Sequence, residues 1–391
     1  MLSFDYQNHT HIVFGPETEN RVGELVKGFN AKKVLVHFGS QSARKSGLLD
    51  RVENSLRASG IDFVELGGVV PNPRRSLARK GIQICKDEKV DFILAVGGGS
   101  VMDSSKTIGM GALYDGDVWD FYSGEPFHDV LPIGAVLTLP AAGSESSPDS
   151  VLTNDEHEVF LKRASCSDPK LRPVFAVMNP ELTMTLPKWQ TFCGMMDIIA
   201  HILERYFTTT RDVDMSDRMS EALIQSVMNA AEKLLENPND YQARAQIMWC
   251  GNVAHNNILG VGRVQDWASH SIGHEISALY DATHGATLAM VFPAWMRYNY
   301  KHDIERFAQF ANRVFGVPYT PDRLEGMALE GIRRFESFIH SVGLPLSFKE
   351  AGIENPDRRK MAEICTENGT RSIGGFVKLT TEDIFNIYSM I

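Results

Sequence analysis

The chain has 391 residues, of which 43% are hydrophobic and 23% charged, and carries a formal net charge of −10. That length supports two domains with large cores, and the composition is ordinary globular. The negative balance, with no Lys/Arg-rich block, argues against nucleic acid or an anionic membrane as partner.

In chain order, the opening Met1-Leu2-Ser3-Phe4-Asp5-Tyr6 lacks the basic and apolar regions of a signal peptide. Residues 34–38 read as a strand that ends at Gly39-Ser40, and 42–59 as a helix stopped by Gly60. A second strand, 61–66, runs into Gly67-Gly68 and the rigid Pro71-Asn72-Pro73. A helix over 75–89 and a strand over 92–96 follow, and Gly97-Gly98-Gly99-Ser100 leads into a helix over 102–113. Residues 133–139 and 174–178 are further strands. This alternation predicts a parallel sheet with helices on both faces.

From Pro187 onward the apolar spacing becomes helical. It predicts helices over 188–207, 215–236, 240–259, 264–279, 285–300, 302–315 and 321–342. Pro180 and Pro187 bracket the connection. The expected organisation is an α/β nucleotide-binding domain over 1–184 and an all-α domain over 185–391. A junction between two such domains is a natural place for a cofactor and substrate cleft. No apolar run approaches the roughly 20 residues that span a bilayer. The five cysteines (85, 166, 193, 250 and 365) include no CxxC pair and read as free thiols in a reducing compartment, so a cytoplasmic protein is expected.

The run Gly97-Gly98-Gly99-Ser100 sits between a strand and a helix. There, backbone N–H groups and the helix N-terminus favour a phosphate. Ser100 either caps the helix or bonds the phosphate; Asp103 suits the matching cap position or a hydrogen bond to the cofactor. The loop is neither G-x-G-x-x-G nor a Walker A sequence. At the end of the first strand an acid would bond a ribose 2′-hydroxyl and repel a 2′-phosphate. Gly39 stands there, followed by Ser40, Ser42, Arg44 and Lys45. This favours NADP(H) and still permits NAD(H), although Ser42 also fits a plain helix cap.

Asp197-Ile-Ile-Ala-His201 puts a carboxylate and an imidazole one helical turn apart. His270-Ser-Ile-Gly-His274 repeats the spacing, and His284-Gly285 follows. Asp197, His201, His270 and His284 form a donor set suited to Fe(II) or Zn(II), with a position left for a substrate oxygen. A metalloprotease H-E-x-x-H is excluded, because Ser271 follows His270 and Ala278 stands where a second ligand after His274-Glu275 belongs. Cys193, one turn before Asp197, reads as a buried small side chain or a thiolate ligand. Met195, Trp249, Ile258, Leu259 and Trp267 read as an apolar substrate pocket or as helix core.

These motifs together resemble the iron-containing (group III) alcohol dehydrogenases, in the branch of butanol dehydrogenases and NADPH-dependent aldehyde reductases. The markers are Met1-Leu-Ser-Phe-Asp-Tyr6, Phe14-Gly15, Pro71-Asn72-Pro73, Gly97-Gly-Gly-Ser-Val-Met-Asp103 with Lys106, Ala142-Gly-Ser-Glu145, Gly194-Met-Met-Asp197 with His201, His270 with His274, and His284-Gly285. The resemblance implies a dehydroquinate synthase-like fold, metal ligation by Asp197, His201, His270 and His284, and a histidine beside the substrate at His274. It matches Gly97, Gly98, Ser100 and Asp103 to the pyrophosphate and nicotinamide region, and Thr138 and Leu139 to a segment lining the cofactor. Lys162 or Arg163 matches the basic residue at the nicotinamide ribose. The family's threonine-rich stretch is replaced here by Pro140-Ala141-Ala142. The implied activity is hydride transfer between NADP(H) and a primary alcohol or aldehyde, in a homodimer. Polyol oxidation with NAD and a non-catalytic nucleotide-binding protein of the same fold are the alternatives.

Overall fold

The computed structural model describes residues 1–157, 160–165 and 167–391. They divide into two compact units, Gln7–Leu186 and Pro187–Ile391 with Met1–Tyr6. The sequence reading kept the first six residues with the α/β half. They belong with the helical unit, where the Leu2 N–H donates to the Gly262 carbonyl at 2.8 Å.

The α/β unit contains strands β1 (His11–Phe14), β2 (Lys33–Phe38), β3 (Asp62–Leu66), β4 (Phe92–Gly98), β5 (Ile133–Leu139), β6 (Val151–Asn154), β7 (Leu161–Ala164) and β8 (Phe175–Met178). Six of them form a parallel sheet in the order β1-β8-β5-β4-β2-β3; β6 and β7 make a separate antiparallel pair. The central strands are apolar on both faces because both faces are covered. Val34, Val36, Leu94 and Val96 enter one core, and Leu35 and Ile93 the other. Strand β1 and the β6–β7 pair, short and partly exposed, escape the sequence reading, whereas the equally short β8 is wholly buried and reads as an apolar run. The predicted 42–59 helix is two helices, Ser42–Lys45 and Leu48–Ala58, separated where Gly47 takes φ 72°.

Strands β2 and β4 are neighbours, yet the chain leaves them in opposite directions, β2 toward β3 and β4 toward β5. Such a reversal opens a crevice at the carboxyl ends of the strands, where ligands of parallel sheets bind. The Gly39 and Gly97 loops both start there.

His37 of β2 is fully buried. Its Nδ1 lies 2.7 Å from the Leu66 carbonyl, which only accepts, so Nδ1 holds the proton and Nε2 accepts from Ser104 Oγ at 2.8 Å. Burial lowers its pKa from 6.5 to about 4, against the raising effect of the Leu66 bond.

The second unit is helical, with helices Lys188–Tyr206, Asp214–Glu236, Tyr241–His255, Ala268–Tyr280, His284–Asn299, Ile304–Phe315 and Leu324–Ser341. Arg358–Cys365 and Thr381–Ser389 are two further helices that the spacing did not reveal; both are short. They close one continuous core. The Lys188–Tyr206 helix is buried on every side from Thr191 to Tyr206, as expected of a central helix. Its polar residues Asp197, His201 and Glu204 therefore need partners within the protein. Among the described cysteines, 85, 193, 250 and 365 are buried free thiols; Cys166 lies outside the described residues. No helix among the described residues is long and apolar enough to cross a membrane.

The His37 site sets a pH dependence. Its folded pKa lies below the unfolded value, so its contribution is complete above pH 6.5 and is lost as pH falls toward 4. A shift of this size corresponds to roughly 3 kcal/mol. Thermal unfolding followed between pH 6.5 and 4.5 is expected to show a smaller fall in midpoint for His37→Gln than for the wild type; equal falls would remove His37 from the account.

Candidate metal centre and nucleotide site

Asp197, His201 and Glu204 stand on one face of the Lys188–Tyr206 helix, at i, i+4 and i+7. His270 and His274 come from the next-but-two helix, Ala268–Tyr280, and His284 opens the His284–Asn299 helix. One ligand atom from each of Asp197, His201 and His270 lies within 4.8 Å of the others, and all three residues are buried. His270 Nε2 is 3.6 Å and His284 Nε2 3.8 Å from Asp197 Oδ1. Ligand atoms about 2.1 Å from one tetrahedral ion stand about 3.4 Å apart, so these spacings suit a single metal.

Proton positions follow from the partners. His201 Nδ1 is 3.1 Å from Asp197 Oδ1, but its hydrogen bond runs to the Asp197 carbonyl at 2.8 Å. His270 Nδ1 is 2.7 Å from Glu204 Oε1. A carbonyl and a carboxylate accept, so both rings carry the proton on Nδ1 and present an Nε2 lone pair. Asp197 Oδ1 and His270 Nε2 are buried with no hydrogen-bond partner. Leaving such atoms unsatisfied costs about 1–3 kcal/mol each, and more for a charge. A divalent cation between them removes that cost. Although burial opposes ionisation, the His201 and His284 charges hold Asp197 well below the usual carboxylate range. Burial lowers His201. Burial would lower His270, but the neighbouring Asp197 and Glu204 carboxylates outweigh it and raise it.

Glu204 was not singled out from the sequence. Its Oε1 accepts from the His270 backbone N–H (2.8 Å) and faces His270 Nδ1, while Oε2 accepts from the Trp267 N–H at 2.6 Å. Trp267 sits at φ 65°, a conformation rare for a bulky side chain, at the N-cap of the His270 helix. The signal available in the sequence was the i+3 spacing from His201. Trp267 also packs 5.3 Å from the His270 ring and 5.9 Å from the His201 ring. His255, whose Nδ1 accepts from Arg205 at 2.9 Å, packs its ring at a tilt 4.1 Å from that of His201. His274 joins the cluster 5.2 Å from the His284 ring.

Gly285 explains how His284 reaches Asp197. A Cβ at Gly285 would lie 2.0 Å from the Cys193 carbonyl oxygen. Only glycine lets the two helices touch backbone to backbone one turn before Asp197. The Cys193 thiol is pushed up to about 12, mainly by burial, and is a neutral small side chain there. Of the expected pocket residues, Met195 and Leu259 belong to the core, Trp249 is exposed, and Trp267 borders the metal cluster.

In the α/β unit the glycine run has two roles. A Cβ on Gly97 would come 2.4 Å from Val101 Cγ2, so helix packing alone requires that glycine. Gly98 and Gly99 have tighter than usual approaches, 3.1 Å to Leu139 Cβ and 3.1 Å to Ala142 Cβ. The helix begins at Gly99, so Ser100 lies inside it and is not its cap. Asp103 does not close a capping box either. Its carboxylate accepts from Ser144 Oγ at 2.6 Å and from the Val151 N–H at 3.1 Å. Lys106, fully buried and lowered to about 8 by burial, donates to Ser144 Oγ and to the Ser147 and Asp149 carbonyls. Together these bonds hold the 144–151 segment on the helix after the glycine loop. Thr138 and Leu139 are half-buried at the end of β5, beside Gly98. Lys162 is buried with Nζ 2.9 Å from Asn72 Oδ1, and its charge acts on Asp103. Arg163, the next residue on β7, faces the other way. Gly39 follows β2 directly, and its Ser40 neighbour is exposed.

Residues 9–180 match the family described as iron-containing alcohol dehydrogenase, and residues 191–391 its C-terminal domain, Fe-containing alcohol dehydrogenase family, C-terminal. The chain belongs to the iron-containing alcohol dehydrogenase family and is an oxidoreductase of alcohols and aldehydes. It is 40% identical to the probable NADH-dependent butanol dehydrogenase 1 of Bacillus subtilis, covering 99% of both chains. It is 32% identical to the NADPH-dependent aldehyde reductase YqhD of Escherichia coli, again over 99% of both. The crystal structure of NADH-dependent butanol dehydrogenase A from Thermotoga maritima superposes with a TM-score of 0.95 at 39% identity, covering 100% of this chain and 98% of that one. The family implies a nicotinamide cofactor and a divalent metal.

Glu204→Gln is expected to weaken metal affinity about 10–100-fold, measured by competition with a fluorescent chelator; unchanged affinity would leave Glu204 a purely structural group. Gly285→Ala is expected to cost about 1–3 kcal/mol in denaturant unfolding and to lower bound metal below one per chain. A variant as stable and as fully loaded as the wild type would show that the helix contact is not needed.

Proposed function

We propose that the chain transfers a hydride reversibly between NADP(H), with NAD(H) also accepted, and a primary alcohol or aldehyde of the butanol type. In this reading Asp197, His201, His270 and His284 hold one divalent metal, Fe(II) or Zn(II). The observation that carries it is the buried, unpartnered pair of Asp197 Oδ1 and His270 Nε2, 3.6 Å apart. When bound, the metal supplies Lewis acidity toward the substrate oxygen.

The protein's own groups do the rest. Asp197 stays ionised, and its Oδ1 has no hydrogen-bond partner. Glu204 fixes the His270 tautomer, and the Asp197 carbonyl fixes that of His201. His274 takes up or returns the substrate proton through a ring nitrogen. Gly97, Gly98, Gly99 and Ser100 accept the cofactor pyrophosphate at the helix start, with Asp103, Thr138, Leu139 and Lys162 toward the nicotinamide. Lys162 is preferred to Arg163 because its side chain is buried on the Asp103 side of the β6–β7 pair. Gly39 and Ser40 border the adenosine ribose. The working form is a homodimer in the cytoplasm with small-molecule substrates, and the −10 net charge supports a protein without nucleic-acid partners.

The test is butyraldehyde reduction by chelated protein reloaded separately with Fe(II) and Zn(II), with NADPH and NADH in parallel. Metal-dependent turnover that is abolished, together with metal binding, in Asp197→Ala is the expected result. Turnover surviving without metal would overturn the site, and turnover confined to glycerol or 1,3-propanediol would move the substrate class to polyols.

A further inference from the structure

At the carboxyl end of β2 the Arg44 guanidinium is hydrogen-bonded by two carboxylates, and the exposed Asp50 carboxylate lies 3.8 Å from its Nη1. Its Nη1 is 2.8 Å from Glu53 Oε1, and its Nη2 bonds Glu65 Oε2. Glu53 is buried and also pairs with Arg57 at 2.9 Å. Glu65 lies near the end of the edge strand β3, and its side chain is 34% exposed. Partial burial and the neighbouring Glu53 charge push its carboxyl above the ordinary value. Three acids therefore surround one cation, and the two hydrogen-bonded ones, Glu53 and Glu65, hold it most closely.

The same guanidinium stands over the Phe38 ring, 5.6 Å from its centroid. Phe38 is followed by Gly39, so Arg44 borders the loop assigned above to the adenosine ribose. Gly39 brings no side chain to that loop. A Cβ there would make only ordinary contact, 3.6 Å from the Val69 carbonyl oxygen, so packing does not demand the glycine. Position 39 neither bonds a 2′-hydroxyl nor repels a 2′-phosphate. The nearby charge that distinguishes the two cofactors is then that of Arg44 and its acids.

We propose that Glu65 sets the balance between NADH and NADPH by competing with the 2′-phosphate for Arg44. The proposal rests on the nicotinamide reading of the Gly39 loop. A guanidinium suits a phosphate because its planar fork can donate two parallel bonds. Here one arm of the fork is on Glu65, and an incoming phosphate must displace that carboxylate and tolerate its charge nearby. Exposed ion pairs are weak, so displacement is possible and the preference is graded. Glu53 keeps Arg44 anchored when Glu65 leaves. Neutralising Glu65 therefore does not strand the arginine, and the variant should fold.

The experiment measures dissociation constants of NADPH and NADH for the metal-loaded full chain by nicotinamide fluorescence, without substrate. Glu65→Gln is expected to tighten NADPH about two- to fivefold and leave NADH unchanged. Arg44→Met is expected to weaken NADPH about tenfold, again without effect on NADH. Thermal unfolding midpoints establish that both variants are folded, and Glu65→Gln decides alone if Arg44→Met is not. If the wild type binds both cofactors and Glu65→Gln changes neither or both equally, the competition is refuted while the nicotinamide reading stands. If the wild type binds neither, the reading of the loop fails and the proposal with it.

Discussion

The helical unit is organised around one buried carboxylate. Glu204 is 1% exposed and takes three groups from a single stretch of chain: the Trp267 N–H, the His270 N–H and His270 Nδ1. Those bonds hold Trp267 in its left-handed conformation, start the Ala268–Tyr280 helix, and turn the His270 ring so that Nε2 faces Asp197. A buried carboxylate without partners is costly, so the backbone arrangement and the ring orientation stabilise each other. The proposed metal site takes its geometry from this arrangement and from the matching bond of His201 to the Asp197 carbonyl.

Glycine fixes distance in both units. At Gly285 the absent side chain brings two helix backbones together and carries His284 to within 3.8 Å of Asp197. At Gly97 it lets the helix after β4 close onto the strand end over Val101. The first approach assembles the proposed ligands, and the second sets the helix start where the sheet's strand order reverses. Behind that start, Lys106 and Asp103 tie the 144–151 segment in place, so Asp103, which read as a cofactor contact or a cap, also holds the loop together.

Much of this was legible in the sequence because it rests on period and spacing. The i, i+4 pairs Asp197–His201 and His270–His274 need only a helix to share a face, and the alternation of apolar runs with helical patterns gives the parallel sheet. What was hidden depends on contacts distant in sequence. Glu204 lies 66 residues from the ring it orients. The bonding of Asp103 to Ser144 and Val151 spans more than 40 residues, and the sequence alone made it look like a local cap. The antiparallel β6–β7 pair is too short to show alternation, so the sequence could not tell that Lys162 and Arg163 face opposite ways. Arg44, one of the residues after Gly39 in the sequence reading of the cofactor loop, is held by Glu53 and Glu65, which no local pattern announces.

The central claim is that the unpartnered Asp197 Oδ1 and His270 Nε2 face a bound ion. Anomalous diffraction at the iron and zinc edges from crystals of the purified protein tests it most directly. The account predicts one ion about 2.0–2.3 Å from Asp197 Oδ1 and from the Nε2 atoms of His201, His270 and His284. A fully loaded crystal with its ion elsewhere, or with His270 Nε2 hydrogen-bonded to a protein group instead, would contradict it.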